Sequence, residues 1–120
     1  MTKLAEAIAH EEGFGIPGTI PTRQNNPGDL RHAPGEFHQL GQPNAVGSFD
    51  SADEGWKALE RQLELYAERN LTLEQAIYEF APPSENNSSG YLQYVCNYLG
   101  VDPSILVADA LKIPGDMVDE

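Results

Sequence analysis

Two stretches with helical periodicity, residues 1–14 and 51 to about 111, enclose a middle segment, residues 15–50, that has none. The middle segment is rich in Gly, Pro and Asn, which favour turns over helices. A segment of this length without regular structure is uncommon in a compact domain and usually carries function or short strands. We therefore expect one mainly helical domain over residues 1–120, with function concentrated around its middle segment.

Residues 31–50 have the marks of one or two irregular hairpins. Ala33-Pro34-Gly35-Glu36 and Gly41-Gln42-Pro43-Asn44 are turn signals on either side of the alternating stretch Phe37-His38-Gln39-Leu40. The predicted fold class is therefore mainly α (α+β), with a small irregular β region at about residues 31–50. At the other end of the chain, residues 113–120 are predicted to form an acidic tail.

Capping signals place the helices of the second half. Ser51-Ala52-Asp53-Glu54 and Thr72-Leu73-Glu74-Gln75 are capping-box sequences, each followed by apolar residues at helical spacing. Ser88 or Ser89 is predicted to cap a third helix, which Gly100 ends. Asp102-Pro103 is predicted to start a fourth, running through Leu111.

The first helix ends in two adjacent carboxylates, Glu11 and Glu12, followed by Gly13. Since each helical residue turns by about 100°, Glu12 lies about 40° and Glu11 about 60° from the centre of the apolar face. Both are therefore predicted to point inward. Burial raises the pKa of a carboxyl group and keeps it protonated near neutral pH, as a general acid for sugar cleavage must be. The competing interpretation is a solvated last turn of an amphipathic helix.

The charge balance limits the partners. Seven basic residues against nineteen acidic ones give a formal net charge of −12, which repels nucleic-acid phosphates and anionic lipid surfaces. A neutral polysaccharide is compatible with this charge. The three histidines, His10, His32 and His38, lack metal-ligand spacing, and the single Cys96 is predicted to be a buried thiol, so we expect no cofactor. No apolar run is long enough for membrane insertion.

An amide-rich run, Gln24 to Arg31, precedes the predicted β region. Amide side chains in such a turn can hold backbone groups in place. They can also supply, with an arginine, the donors and acceptors that sugar hydroxyls and N-acetyl groups need. Asn25, Asn26 and Arg31 are therefore candidate substrate-binding residues.

Four segments in order resemble a family of small lysozyme-like domains from phages and prophages: Glu12-Gly13-Phe14, Asn26 to Arg31, Phe49 to Leu59, and Ala81 to Asn87 followed by Tyr91. The resemblance covers nearly the whole chain. It implies a helical domain with a small irregular β region, and cleavage of the β-1,4 link between N-acetylmuramic acid and N-acetylglucosamine in peptidoglycan. Glu12 matches the catalytic acid of the lysozyme-like superfamily, and the Asn26 to Arg31 loop matches the edge of the cleft. Tyr91 matches a tyrosine near the acid, so the resemblance adds it to the candidate substrate-binding residues.

The chain departs from this family at Asp29, where Asn is more frequent. Hydrolysis needs a second carboxylate, about 6.5–9.5 Å from the acid for inversion or about 5–5.5 Å for retention. Lytic transglycosylases use one Glu as acid and then as base. Asp29 is the candidate second catalytic group; Asp50 and Asp53 are weaker candidates, because both suit a helix start. We expect a lytic transglycosylase, with a hydrolytic lysozyme using Asp29 as the alternative.

A different class of function also fits the sequence, namely a non-catalytic phage structural or glycan-binding module. The expected partner in each case is the peptidoglycan glycan strand, bound by a monomer. The N-terminus has no signal-peptide pattern. We therefore expect synthesis in the cytoplasm and action on the cell wall after holin-type release, delivery in a virion, or as part of a larger protein.

Overall fold

A computed structural model of the chain describes residues 1–35, 38 and 46–116. Over these residues the fold is mainly helical, as the sequence predicts. Isolated β-bridges join Thr2 to Pro114 and Thr72 to Leu106. The helices are α1 (Lys3–Glu12), α2 (Ile20–Arg23), α3 (Ala52–Glu68), α4 (Leu73–Phe80), α5 (Ser88–Leu99) and α6 (Val107–Ala110).

Helix α1 is the centre of the core. It packs against α5 and α3, while α6 packs on α3 and α4 packs on α5. Every residue from Leu4 to Ala9 is buried, so α1 is surrounded along most of its length. The Thr2 side chain accepts a hydrogen bond from the Ala5 N–H and caps the helix start. Burial of α1 brings its last residue, Glu12, to the point where several other elements meet.

The caps and buried faces of the long helices agree with the sequence prediction. The Ser51 hydroxyl accepts a hydrogen bond from the Glu54 N–H at the start of α3, and Thr72 and Gln75 form a reciprocal capping box at α4. Gly100 takes the left-handed conformation, with φ of 72°, and ends α5. The predicted apolar faces are buried: Trp56, Leu59, Leu63 and Tyr66 on α3, and Tyr91, Leu92, Val95, Cys96 and Leu99 on α5.

Three local predictions were wrong. The middle segment contains the short helix α2, whose first turn accommodates Pro21 because the proline φ is already helical. Helix α5 is capped by Asn87, whose side chain accepts from the Gly90 N–H, while Ser88 is buried and donates to the Ala81 carbonyl. The last helix, α6, is only one turn long, because Asp102 accepts two hydrogen bonds from Ser104 and holds a turn instead.

Much of the predicted β region, residues 36–37 and 39–45, lies outside the described residues. In the described part, the Gly47 N–H donates to the Leu30 carbonyl and the Phe49 N–H donates to the Gln24 carbonyl. These bonds fasten the end of the middle segment to its amide-rich beginning. None of the described residues between 31 and 50 belongs to a multi-residue strand.

The predicted acidic tail is attached to the body of the protein over its described part, residues 113–116. The Gly115 N–H donates to the Met1 carbonyl, and the Asp116 N–H donates to the Glu6 carboxylate at 2.8 Å. Glu6 is only 1% exposed, so this segment covers the first turn of α1. Residues 117–120 lie outside the described residues.

Candidate active site

Glu12 is held in place by the way α1 ends. Gly13 has a φ of 86°, in the left-handed region that stops a helix, and the Phe14 N–H donates back to the Ala9 carbonyl. The Phe14 ring then packs edge-on against Trp56 of α3, with ring centroids 5.4 Å apart. The predicted helix end therefore exists, and it fixes the direction in which Glu12 leaves the core.

Tyr91, on α5, donates a hydrogen bond from its hydroxyl to the Oε2 atom of Glu12 at 2.7 Å. The tyrosine is only 5% exposed, and its ring contacts that of Phe80. Burial and the neighbouring Glu12 carboxyl raise the pKa of Tyr91 far above its ordinary value. Tyr91 therefore stays protonated and acts as a donor to Glu12. It was expected among the substrate-binding residues, but it is not part of the groove wall and positions Glu12.

Glu12 is partly buried, and this burial raises its pKa to about 7. The Tyr91 hydrogen bond lowers the pKa because it stabilises the carboxylate, whereas the nearby charges of Asp29 and Glu11 raise it further. Burial has the larger effect, so a substantial fraction of Glu12 is protonated at neutral pH. The prediction of an inward-facing acid holds for Glu12.

The same prediction was wrong for Glu11. Its side chain is exposed, although burial raises its pKa from the ordinary value. The angular distances of the two residues from the centre of the apolar face differ by only about 20°, and the neighbours of the last turn cover Glu12 more than Glu11.

Glu12 borders a groove of about 550 Å³. It is lined by the loop from Gly28 to Pro34 and by residues of α3, α4 and the segment that follows α4. The groove thus brings together residues from the middle segment and from both halves of the helical part. Its lining residues beyond the loop are Glu12, Arg61, Gln62, Leu65, Tyr66, Glu79, Phe80, Ala81, Glu85 and Asn86.

Asp29 lies in this groove, close enough to Glu12 for its charge to raise the pKa of Glu12. Its own pKa is raised by burial, an effect that the Arg31 guanidinium partly offsets. Asp29 has a φ of 54°, a left-handed conformation that Asn and Asp tolerate better than other side chains. Asp50 and Asp53 are not among the groove residues; both are exposed, and Asp53 pairs with Lys57.

Asn26 is fully buried, so the expectation that it contacts sugars was wrong. Its amide nitrogen donates to the carbonyls of Leu30 and Gly47, both at 2.8 Å, and its amide oxygen accepts from the Leu30 N–H. One side chain thereby satisfies three backbone groups and joins the two ends of the middle segment. Asn26 shapes the loop that carries Asp29.

Asn25 also supports the loop and is not one of the groove residues. Its side chain donates to the Phe49 carbonyl at 3.2 Å. Its carbonyl oxygen approaches Gly55 of α3 so closely that a Cβ there would lie only 2.0 Å away. The sequence analysis does not predict this contact. The signal for it is an isolated glycine inside a helical pattern, which often has a packing reason.

Arg31 is in the groove, as expected for a substrate-binding residue. It forms an ion pair with Glu85 at 3.7 Å, and about half of each side chain is exposed. Such an exposed pair is weak, so Arg31 can exchange this partner for a ligand. Sequence reasoning missed the groove residues of α3 and α4, because their meeting with the loop is set by tertiary packing.

Replacing Asn26 with Ala should lower the free energy of unfolding by about 2 kcal/mol, because three backbone groups lose a buried partner. Thermal or denaturant unfolding measures this loss. Asn25→Gly removes a single side-chain hydrogen bond of the same loop and fits the left-handed backbone there, with φ of 54°, so it is the control and should show a smaller loss. Equal losses for the two variants would show that the three bonds of Asn26 have no special weight.

The described residues form neither a metal site nor a membrane-spanning helix. No group of three or more His, Cys, Asp or Glu side chains there is arranged to hold a metal ion. No helix in that part of the chain is long and apolar enough to cross a membrane.

The chain has no match among protein-family models, curated proteins or solved structures. What the site does must therefore be argued from its own chemistry.

Proposed function

We propose that this protein cleaves the β-1,4 link between N-acetylmuramic acid and N-acetylglucosamine in peptidoglycan strands, as a lytic transglycosylase with a lysozyme-like fold. The observation that carries the proposal is Glu12, a partly buried carboxyl group with a pKa raised to about 7, which borders a groove and is held by Tyr91. A carboxylic acid that stays protonated near neutral pH is suited to protonate a glycosidic oxygen.

The first step follows from the hydrogen bond of Glu12. Tyr91 occupies Oε2 as a donor, so the acidic proton of Glu12 resides on Oε1. Oε1 gives this proton to the glycosidic oxygen, the bond from that oxygen to the muramic C1 breaks, and N-acetylglucosamine leaves with a free 4-hydroxyl. Positive charge develops at C1 and on the ring oxygen. The Glu12 carboxylate formed in this step lies beside that charge.

In the second step the Glu12 carboxylate acts as base. It removes the proton from the 6-hydroxyl of the muramic residue, whose oxygen bonds to C1 and closes a 1,6-anhydro ring. No water is consumed, and Glu12 returns to its protonated form. A single group with a pKa near the working pH can serve both steps, because both of its protonation states are readily populated at that pH.

The groove lining supports a saccharide ligand. Gln62 and Asn86 offer amide donors and acceptors, and Tyr66 and Phe80 offer ring surfaces. Sugars are bound by such combinations of polar groups and aromatic faces.

Hydrolysis is the second candidate, because Asp29 borders the same groove and its charge reaches Glu12. In that reaction Asp29 would activate a water molecule, or attack C1 itself, while Glu12 acts as acid. The product would then carry a reducing end instead of an anhydro ring.

The test is to incubate purified sacculi with the protein and determine the masses of the soluble products. The proposal expects 1,6-anhydro products, which are lighter than reducing-end products by one water, and expects them also from Asp29→Asn. Reducing-end products that disappear in Asp29→Asn would establish the hydrolase instead. Binding to sacculi without any soluble product would support the non-catalytic module and reject the enzyme.

Two substitutions should move the pH dependence of activity in opposite directions. Activity should decline as pH rises through about 7, because Glu12 loses its proton. Tyr91→Phe removes a hydrogen bond that lowers the pKa of Glu12, so this decline should move to higher pH. Asp29→Asn removes a charge that raises it, so the decline should move to lower pH. Profiles of kcat/KM against pH on solubilised glycan strands measure both shifts; shifts in the same direction would contradict the assigned electrostatics.

A further inference from the structure

Arg61, on α3, stands out among the basic side chains. Four of these form ion pairs, namely Arg31 with Glu85, Lys57 with Asp53, Arg69 with Glu79 and Lys112 with Asp109. Arg61 lies in the groove that Glu12 borders, and no carboxylate among the described residues comes within 4.0 Å of it. In a chain of net charge −12, a groove arginine with no carboxylate partner among the described residues is available for an anion supplied by a ligand.

A second, smaller groove of about 280 Å³ begins at the same side chain. It shares Arg61 and Pro34 with the first groove and continues past Phe49, Ala58 and Lys57. Lys57 precedes Arg61 by one helical turn and so lies on the same side of α3. The two grooves are therefore neighbours, and Arg61 lines both of them.

We propose that Arg61 binds a carboxylate of the stem peptide carried by the muramic residue, while the glycan occupies the groove at Glu12. This inference rests on the proposed function. The stem peptide branches from the glycan, and the second groove lies beside the first at Arg61. The planar guanidinium of Arg61 can grip a carboxylate through two parallel hydrogen bonds, which favours strands that still bear their peptides.

The charges around Arg61 favour a single carboxylate over a phosphodiester polymer. Glu54 lines the second groove, and Glu12, Asp29 and Glu79 line the first. A polymer with repeated negative charges would meet these carboxylates along its length, whereas one carboxylate needs to meet Arg61 alone.

The test compares two substrates, namely glycan strands with stem peptides and strands from which an amidase has removed them. The wild-type protein should have the higher kcat/KM on peptide-bearing strands, and Arg61→Gln should reduce this preference about tenfold. Arg61→Lys should restore part of it, because charge returns without the two-pronged geometry. Arg23→Gln, at an exposed arginine of α2 outside both grooves, is the matched control and should keep the preference.

A binding measurement separates this inference from the proposed function. Titration calorimetry with soluble stem peptide should detect binding by the wild type and about tenfold weaker binding by Arg61→Gln. The wild type should bind a peptide with amidated carboxylates as weakly as Arg61→Gln binds the unmodified peptide. If neither glycan is cleaved but this pattern holds, the proposed function fails and the carboxylate subsite stands. An unchanged preference in Arg61→Gln, or Arg61-dependent binding of teichoic-acid fragments but not of stem peptide, would overturn the inference.

Discussion

Glu12→Gln should reduce the release of soluble fragments from sacculi by a factor of about 10² or more. The substitution keeps the size of the side chain and an oxygen that can accept the Tyr91 hydrogen bond, but it removes the proton that the glycosidic oxygen must receive. Glu11→Gln is the matched control, because Glu11 is the adjacent carboxylate on the same turn and is exposed. It should retain most of the activity. Equal losses, or a larger loss at Glu11, would show that Glu12 is not the acid.

Glu12→Gln should reduce activity but increase stability at high pH. The pKa of Glu12 is about 7 in the folded protein and about 4.5 when unfolded. Between these values the folded state holds a proton that the unfolded state has released, so rising pH destabilises the wild type. Glu12→Gln has no such penalty. It should therefore match the wild type near pH 4 and exceed it by about 1–3 kcal/mol near pH 8. A folded, more stable protein with little activity would locate the loss in the chemistry.

Gly55→Ala should lower the free energy of unfolding by about 3 kcal/mol or more. Alanine is the better helix former, so propensity alone would stabilise α3. The added methyl group, however, would lie 2.0 Å from the Asn25 carbonyl oxygen and 2.8 Å from Pro27. These atoms belong to the loop backbone and a proline ring and have no rotamer by which to withdraw. The loop that carries Asp29 must then separate from α3, and sacculus lysis should fall with it.

Gly90→Ala on α5 is the comparison variant. Its new methyl group would meet the Asn87 side chain, which can rotate away, so a smaller loss of stability is expected. Denaturant unfolding of both variants measures the difference. A Gly55→Ala protein as stable as the wild type would contradict the close approach of the loop to the helix.

The sequence predicts that Glu12 faces inward at the end of the first helix, and the structure confirms this position. A helical period places the residue near the apolar face, and Gly13 ends the helix directly after it. The same reasoning fails for Glu11, because a helical wheel averages the apolar face over the whole helix, whereas burial at its last turn depends on which neighbours reach that far. A difference of about 20° cannot decide this from sequence.

The other site residues depend on contacts between distant segments. Tyr91 contacts Glu12 although the two residues are 79 positions apart in the sequence. Only the family resemblance predicts that Tyr91 lies near the acid. Asn26 looks the same in sequence whether its amide faces sugars or buried carbonyls, since the partner backbone of Gly47 is 21 positions away. No local sequence pattern points to Arg61, because its lack of a carboxylate partner among the described residues is a property of the assembled groove.

The assignment of Glu12 as the acid is tested most directly by titrating its carboxyl group. The side-chain carboxyl carbon of Glu12, assigned by its absence from the spectrum of Glu12→Gln, can be followed by NMR from pH 3 to pH 9. We expect a midpoint at about pH 7, and a higher midpoint in Tyr91→Phe. A midpoint at or below 4.5, the ordinary value, would mean that Glu12 is ionised at neutral pH, and it would contradict the assignment of this residue as the acid.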